Sequence, residues 1–230
     1  SGSYKYVKIN KISEYIQYGY IATEDKKFME HRGIDLQSIT RAGISLITNK
    51  GEITQGGSTI TQQLLKNNVF ANGGSESSFG ELVKRKVQEQ YLAVELEKNQ
   101  SKAVILENYL NTINLGAGCY GVQAASKRYF NKDVSELTIS ESAVIAAITQ
   151  NPTKYNPINH PEENVKRREK VLNNMKKNGY ITEEEYQEAI ADAVYDRIQT
   201  VSVESEQDST PYSYCLLYTS PSPRDRSVSR

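Results

Sequence analysis

Ala22-Thr-Glu-Asp-Lys-Lys-Phe-Met-Glu-His31 and, further on, Gly56-Gly-Ser-Thr-Ile-Thr-Gln-Gln-Leu-Leu-Lys66 decide how this chain is read. The first puts adjacent carboxylates, Glu24 and Asp25, on a helix predicted from a Ser13 cap to about His31, with Gly33 as its stop. Ile21 and Phe28 flank Glu24 one turn away on either side, which sets that carboxylate at the lip of an apolar wall. Partial desolvation there makes a carboxylate a better base. The plain alternative is a solvated helix face, where most charged side chains sit. Asp25 points elsewhere on such a helix and is expected to orient backbone or a basic partner, while His31 is expected to fix the helix end. The second piece is a glycine pair feeding a helix capped by Ser58 or Thr59. Its backbone N–H groups and the hydroxyls of Ser58, Thr59 and Thr61 suit an anion, and Gln63 and Lys66 share a face. Gly-x4-Gly-Lys-Ser/Thr is absent, so this is not a nucleotide-hydrolase phosphate loop. A well-capped helix with a polar face is the plain reading.

The third piece is Lys84-Arg-Lys-Val-Gln-Glu89, on a helix predicted from Glu81 to about Asn99 without Gly or Pro. Val83, Val87, Tyr91 and Val94 form one stripe of it, and Leu92, Ala93 and Leu96 widen the apolar part, which reads as a central helix. Glu89 lies one turn after Arg85 and Lys86. On a surface such ion pairs contribute about 0.3 kcal/mol each. Entering a helix that is otherwise apolar, the cluster needs a reason.

Outward from these pieces, Asp35 caps a helix carrying Leu36, Ile39, Ile44, Leu46 and Ile47, its apolar positions spread widely enough to be buried or turned toward lipid. Lys50–Gly57 is loop, and Asn72–Ser78 a polar connection. Ser101 caps a further helix through Ile113. Leu115–Gly121 is a tight turn leading into a small-residue helix that ends at Phe130. An alanine-rich helix runs from Ala143 to Thr149, and Asn151-Pro152 ends it. Two amphipathic helices follow, 162–178 and 182–194, the second with a Thr182/Glu185 capping box. No β pattern of any length and no repeat appears, so the fold class is mainly α. From Ser202 the composition becomes that of a linker, and residues 215–230 resemble the translation of a sequencing adapter rather than protein.

The chain of 230 residues carries 28 basic and 28 acidic side chains, and this balance argues against a nucleic-acid partner, which calls for a basic excess. Cys119 and Cys215 define no disulfide framework or zinc spacing, and neither His31 nor His160 has metal-ligand spacing. No apolar run approaches the roughly 18–20 residues that cross a bilayer, and no signal-peptide pattern opens the chain, which is expected to be soluble or membrane-peripheral with an upstream segment missing.

Taken in order, five blocks resemble the peptidoglycan glycosyltransferase domain (glycosyltransferase family 51) of class A penicillin-binding proteins. They are Glu24–His31, Gly57–Gln63 with Lys66, Arg85–Glu89, Ile105–Asn111 leading to Gly118–Gly121, and Glu141–Ala147 through Asn151-Pro152. The resemblance covers about residues 12–200, after an N-terminal segment 1–11 and before a linker 201–214. It implies a lysozyme-like, two-lobed helical domain with a cleft between a large lobe and a smaller membrane-facing one. It also implies the polymerisation of lipid II into glycan strands by inverting transfer, with undecaprenyl diphosphate released. Carried over, Glu24 is the general base and Glu89 the second essential carboxylate. Ser58, Gln63, Lys66 and Lys86 line the donor diphosphate site. Asp25, Phe28, His31, Thr59, Thr61 and Arg85 support them. The implied partners are lipid II, the growing strand, the membrane surface and other cell-wall synthesis and division proteins, at the outer face of the bacterial cytoplasmic membrane. No cofactor is built in, and a divalent cation (magnesium or manganese) travels with the diphosphate. The transpeptidase Ser-x-x-Lys is not among these residues. Two rival readings share the pattern. A lysozyme-like glycan-cleaving enzyme has the helical cleft and the Glu without needing the lysines, and a non-catalytic lipid II-binding scaffold needs no base.

Overall fold

The computed structural model describes residues 3–48, 57–70 and 78–200. The loop expected before Gly57, most of the connection from Asn72 and everything after Thr200, Cys215 and the tail included, lie outside them.

Among the described residues helices dominate. They are α1 (Glu14–Glu24), α2 (Leu36–Thr48), α3 (Ile60–Asn68), α4 (Phe79–Asn99), α5 (Lys102–Thr112), α6 (Val122–Phe130), α7 (Ile139–Ile148), α8 (Pro161–Lys177) and α9 (Glu183–Ala191). Two-residue strands β1 (Ser3–Tyr4) and β2 (Cys119–Tyr120) pair in parallel, Tyr4 opposite Tyr120.

The central helix is α7, not α4. From Ser140 to Ile148 every residue of α7 is buried, and from Ala143 on the helix is apolar on all sides, as a buried helix is expected to be. Its alanines let α1 and α8 approach closely, and Gly19 of α1 belongs to the same contact, since a Cβ there would stand 3.4 Å from that of Ala146. A capping box between Thr138 and Glu141 starts α7. Glu141, fully buried, also accepts from Lys132 Nζ at 2.9 Å and Arg197 Nε at 3.1 Å. Burial pushes the Glu141 pKa up, but bonds from Lys132, the Thr138 N–H and Arg197 outweigh it and leave the carboxyl below its ordinary value. Its ionisation therefore stabilises the fold above the unfolded pKa, and that contribution is lost as pH falls through the folded one.

α4 turns the other way from the sequence expectation. Its buried residues are Arg85, Glu89 and Ala93, at i, i+4 and i+8, while Val83, Val87 and Tyr91 are 44%, 59% and 65% exposed. The two stripes are offset by two residues, about 200° around a helix of 3.6 residues per turn, so burying one exposes the other. What selects the charged stripe is its neighbours. α4 packs on α3, and Gly33 lies against the backbone of Ala93, where a Cβ would come within 2.5 Å of its carbonyl. Gly33 also holds φ +93°, so any side chain there meets both strain and a clash.

The first helix is shorter than expected. α1 ends at Glu24, and Asp25, with φ −157°, leaves the helix. Its carboxylate Oδ2 accepts from the backbone N–H of Ile60 at 3.0 Å and lies 2.8 Å from His31 Nε2, which ties the chain after α1 to the start of α3. α1, α5, α6, α7, α8 and α9 form the larger body. α3 bridges from α5 to α4 and so joins the two walls of a cleft.

Candidate active site

Glu24 is the last residue of α1, and α3 begins beside it because of the Asp25–Ile60 bond. Thr59 caps α3 in a reciprocal box with Gln62, and its hydroxyl donates to the Gly33 carbonyl at 2.6 Å. With that end fixed, Gln63 and Lys66 face the cleft. The Tyr109 hydroxyl donates to Gln63 Oε1 at 3.1 Å, and Gln63 Nε2 donates to Glu24 Oε2 at 3.1 Å. Burial, with the Glu24 charge added, holds the Tyr109 phenol far above its ordinary pKa. It therefore stays a donor, which orients the Gln63 amide with its NH2 toward the carboxylate.

On the facing helix, Glu89 is fully buried between two cations, Arg85 Nη1 on Oε1 and Lys86 Nζ at 2.8 Å on Oε2. Lys86 Nζ also donates to Ser58 Oγ at 3.1 Å. With both oxygens engaged, Glu89 is arranged to hold Lys86 rather than to exchange protons. These are the i,i+4 and i,i+3 pairs legible in the sequence; the Arg85–Glu89 pair is buried, where breaking it costs about 3–5 kcal/mol rather than tenths, whereas Lys86 stays 36% exposed.

Glu24, Ser58, Gln63, Lys66, Lys86 and Glu89 thus line one cleft of about 780 Å³. The supporting residues stand outside it. Phe28 is core, and Arg85 holds Glu89. Thr61 donates to Glu97 Oε1 at 2.6 Å, so its hydroxyl is not aimed at the cleft as expected. His31 backs Asp25. Asp25 and Thr59 line a second cavity of about 490 Å³ that shares Thr23, Glu24 and Ser58 with the first. Glu24 therefore stands where two cavities meet.

Sequence reasoning missed Asn67, Thr23, Arg167 and Lys170, which also line the cleft. Arg167 Nη2 is 3.8 Å from Glu24 Oε1. The signal was the basic run Lys166-Arg-Arg-Glu-Lys170, which on an amphipathic helix is indistinguishable from a solvated face. No group of three or more His, Cys, Asp or Glu that could hold a metal ion occurs among the described residues.

The chain belongs to the transglycosylase family, whose model matches residues 2–176. It is 46% identical over 185 residues to penicillin-binding protein 1A of Aquifex aeolicus and 46% over 179 residues to penicillin-binding protein 1F of Bacillus subtilis, covering 80% and 78% of this chain. Each match spans 24% of the relative, so the chain corresponds to about a quarter of their length. Among solved structures, penicillin-binding protein 1A of Haemophilus influenzae matches at 31% identity, covering 57% of this chain and 15% of that one at a TM-score of 0.35.

Proposed function

We propose that the chain is a peptidoglycan glycosyltransferase domain that polymerises lipid II into glycan strands with release of undecaprenyl diphosphate. The observation that supports this best is the shared cleft, which Glu24 lines together with Ser58, Lys66 and Lys86. In the reaction, the acceptor hydroxyl gives its proton to Glu24 as its oxygen forms a bond to the donor's anomeric carbon. The bond from that carbon to the diphosphate oxygen breaks, and its electron pair leaves with the diphosphate. Attack from the opposite face inverts the centre. A diphosphate leaves well without a strong general acid, so cations suffice on that side. A lysine about 4 Å from a phosphate oxygen supplies about 4 kcal/mol of gross attraction at an effective dielectric near 20. A divalent cation accompanying the substrate would supply further charge neutralisation at the diphosphate, beside Lys66 and Lys86. A glycan-cleaving enzyme would have no use for the Lys66–Lys86 wall, and a scaffold none for the Glu24 carboxylate.

Incubating the chain with lipid II and a magnesium salt tests the reading. Polymer and free undecaprenyl diphosphate are expected, with Lys66→Ala and Lys86→Ala each lowering the rate by about tenfold or more, one charge-assisted contact being worth roughly 1.5–3 kcal/mol. Absence of polymer from the unaltered, folded chain, or full rates from both lysine variants, would remove it.

The proposal places the domain against the outer face of the cytoplasmic membrane, beside other cell-wall synthesis and division proteins. No helix among the described residues is long and apolar enough to cross a membrane. Contact at the surface rests on exposed apolar side chains instead, Leu36 and Ile44 on α2 with Val83, Val87 and Tyr91 on α4. Combining Ile44→Asp with Val87→Asp is expected to lower co-sedimentation with anionic phospholipid vesicles severalfold; unchanged partitioning would show that these faces do not meet lipid.

A further inference from the structure

The basic side chains of α8 divide by face. Arg168 is buried and donates to the carbonyls of Ala189 and Ile190. Lys166 pairs with Glu163 and Lys176 with Glu183, each at 3.0 Å. The other three, Arg167, Lys170 and Lys177, line the two cavities that meet at Glu24. Arg167 stands beside Glu24. Lys170 and Lys177 are exposed, and neither pairs with an acid among the described residues. Asn174, between them, also lines the second cavity, and its side chain makes no hydrogen bond among those residues. At 3.6 residues per turn, positions 170, 174 and 177 fall within about 60° of one another. Glu169, the only acid of α8 between Arg167 and Lys177, falls outside that face. The helix thus neutralises its lysines elsewhere and leaves bare the two that border the cavities.

The spacing of these charges selects the kind of anion. Seven residues of helix separate Lys170 from Lys177 by about 10 Å along the axis. A diphosphate is compact, its two phosphorus atoms joined through a single oxygen, and does not span that distance. It suits a convergent site such as Lys86 with Ser58. Mid-helix backbone N–H groups are spent within the helix and offer a phosphate nothing. An extended peptide advances about 3.3 Å per residue, so carboxylates three residues apart stand about 10 Å apart. The stem peptide on the muramic acid of lipid II has this form. Its second residue is a glutamate joined through its side chain, which leaves the α-carboxylate free, and its fifth carries the C-terminal carboxylate. Between them run amide groups that donate and accept, as the Asn174 side chain does.

We infer that this face of α8 seats the stem peptide of lipid II, Lys170 and Lys177 each meeting one of its carboxylates and Asn174 the peptide between them. This rests on the glycosyl-transfer reading and deepens it, since it gives the chain a contact with the peptide as well as with sugar and diphosphate. Because both lysines are exposed, each contact changes affinity only a few-fold and fades as salt rises.

The test compares, at low salt, lipid II whose pentapeptide has both carboxylates free with the same molecule amidated at both. For the unaltered chain kcat/KM is expected to be about 5–20-fold higher with the free carboxylates, the difference lying in KM. The double variant Lys170→Gln with Lys177→Gln is expected to lose that preference. It falls about 5–20-fold on the first substrate and stays within about twofold of the unaltered chain on the second. Lys166→Gln, which removes a lysine already paired with Glu163, is expected to keep the preference. An equal fall of the double variant on both substrates assigns the two lysines to a group that both carry, the diphosphate included, and overturns the inference. A double variant that matches the unaltered chain on the first substrate overturns it too. A second readout needs no turnover. A soluble muramyl pentapeptide, with neither lipid nor diphosphate, is expected to shift the backbone amide resonances of Lys170, Asn174 and Lys177 in the unaltered chain. The doubly amidated peptide is expected to leave them in place. Resonances unmoved by the free-carboxylate peptide up to its solubility limit overturn the inference. Because this titration works even if the chain makes no polymer, failure of the peptide seat and failure of the glycosyl-transfer reading are told apart.

Discussion

Glu24→Gln is expected to lower lipid II polymerisation by about 10²–10⁴-fold, the usual range for losing a general base, with the fold and undecaprenyl diphosphate affinity unchanged. The substitution preserves size and leaves the Tyr109–Gln63 relay in place. What disappears is the ability of one oxygen to take a proton. The side chain is mostly enclosed, but its ion pair with Arg167 is long at 3.8 Å, so its neutralisation should shift the thermal midpoint only slightly. Polymerisation by Glu24→Gln at the unaltered rate would place the base elsewhere.

Glu89→Ala is expected to be the more damaging change to the fold. It strips Arg85 and Lys86 of their shared partner at a site where Glu89 is fully buried and the Arg85 side chain is 10% exposed. Removing one member of a buried pair costs about 3–5 kcal/mol, and because Lys86 is 36% exposed and partly solvated the lower end is expected. A urea melt should show that loss as a shift in midpoint without a change in slope. Polymerisation should fall as well, since Lys86 loses the carboxylate that aims it at Ser58. Replacing Arg85 and Glu89 together with Met and Leu should recover much of the stability, as apolar pairs of similar volume often do, without restoring activity. A double variant that polymerised at the unaltered rate would reduce Glu89 to a folding role.

The two helices misjudged from sequence show what a linear pattern lacks. On α4, Val83-Val87-Tyr91 and Arg85-Glu89-Ala93 repeat with the same period, and hydrophobicity favours the first. The fold buries the second, because Ser58 and Gly33, distant in sequence, meet that side of the helix. The first helix stops at Glu24 for a similar reason, its next carboxylate being captured by an N–H 35 residues on. Segments whose boundaries rest on local chemistry were legible, as the Thr182–Glu185 box and the Gly179 stop after α8 show. The gathering of Glu24, Ser58, Gln63, Lys66, Lys86 and Glu89 in one cleft was legible through the resemblance rather than through any periodicity. Arg167 was not, since a basic residue on an amphipathic helix carries no mark of what lies opposite.

By itself the sequence determined the helical class, most caps and breaks, the family and the residues that gather in the cleft, because each of these depends on neighbours within a few positions or on motifs kept in order. The tertiary structure alone decided which stripe of α4 is buried, that α7 is the central helix, and that Arg167 stands beside Glu24. Those are contacts between segments far apart along the chain, and their energy depends on relative position in space, which no local pattern encodes.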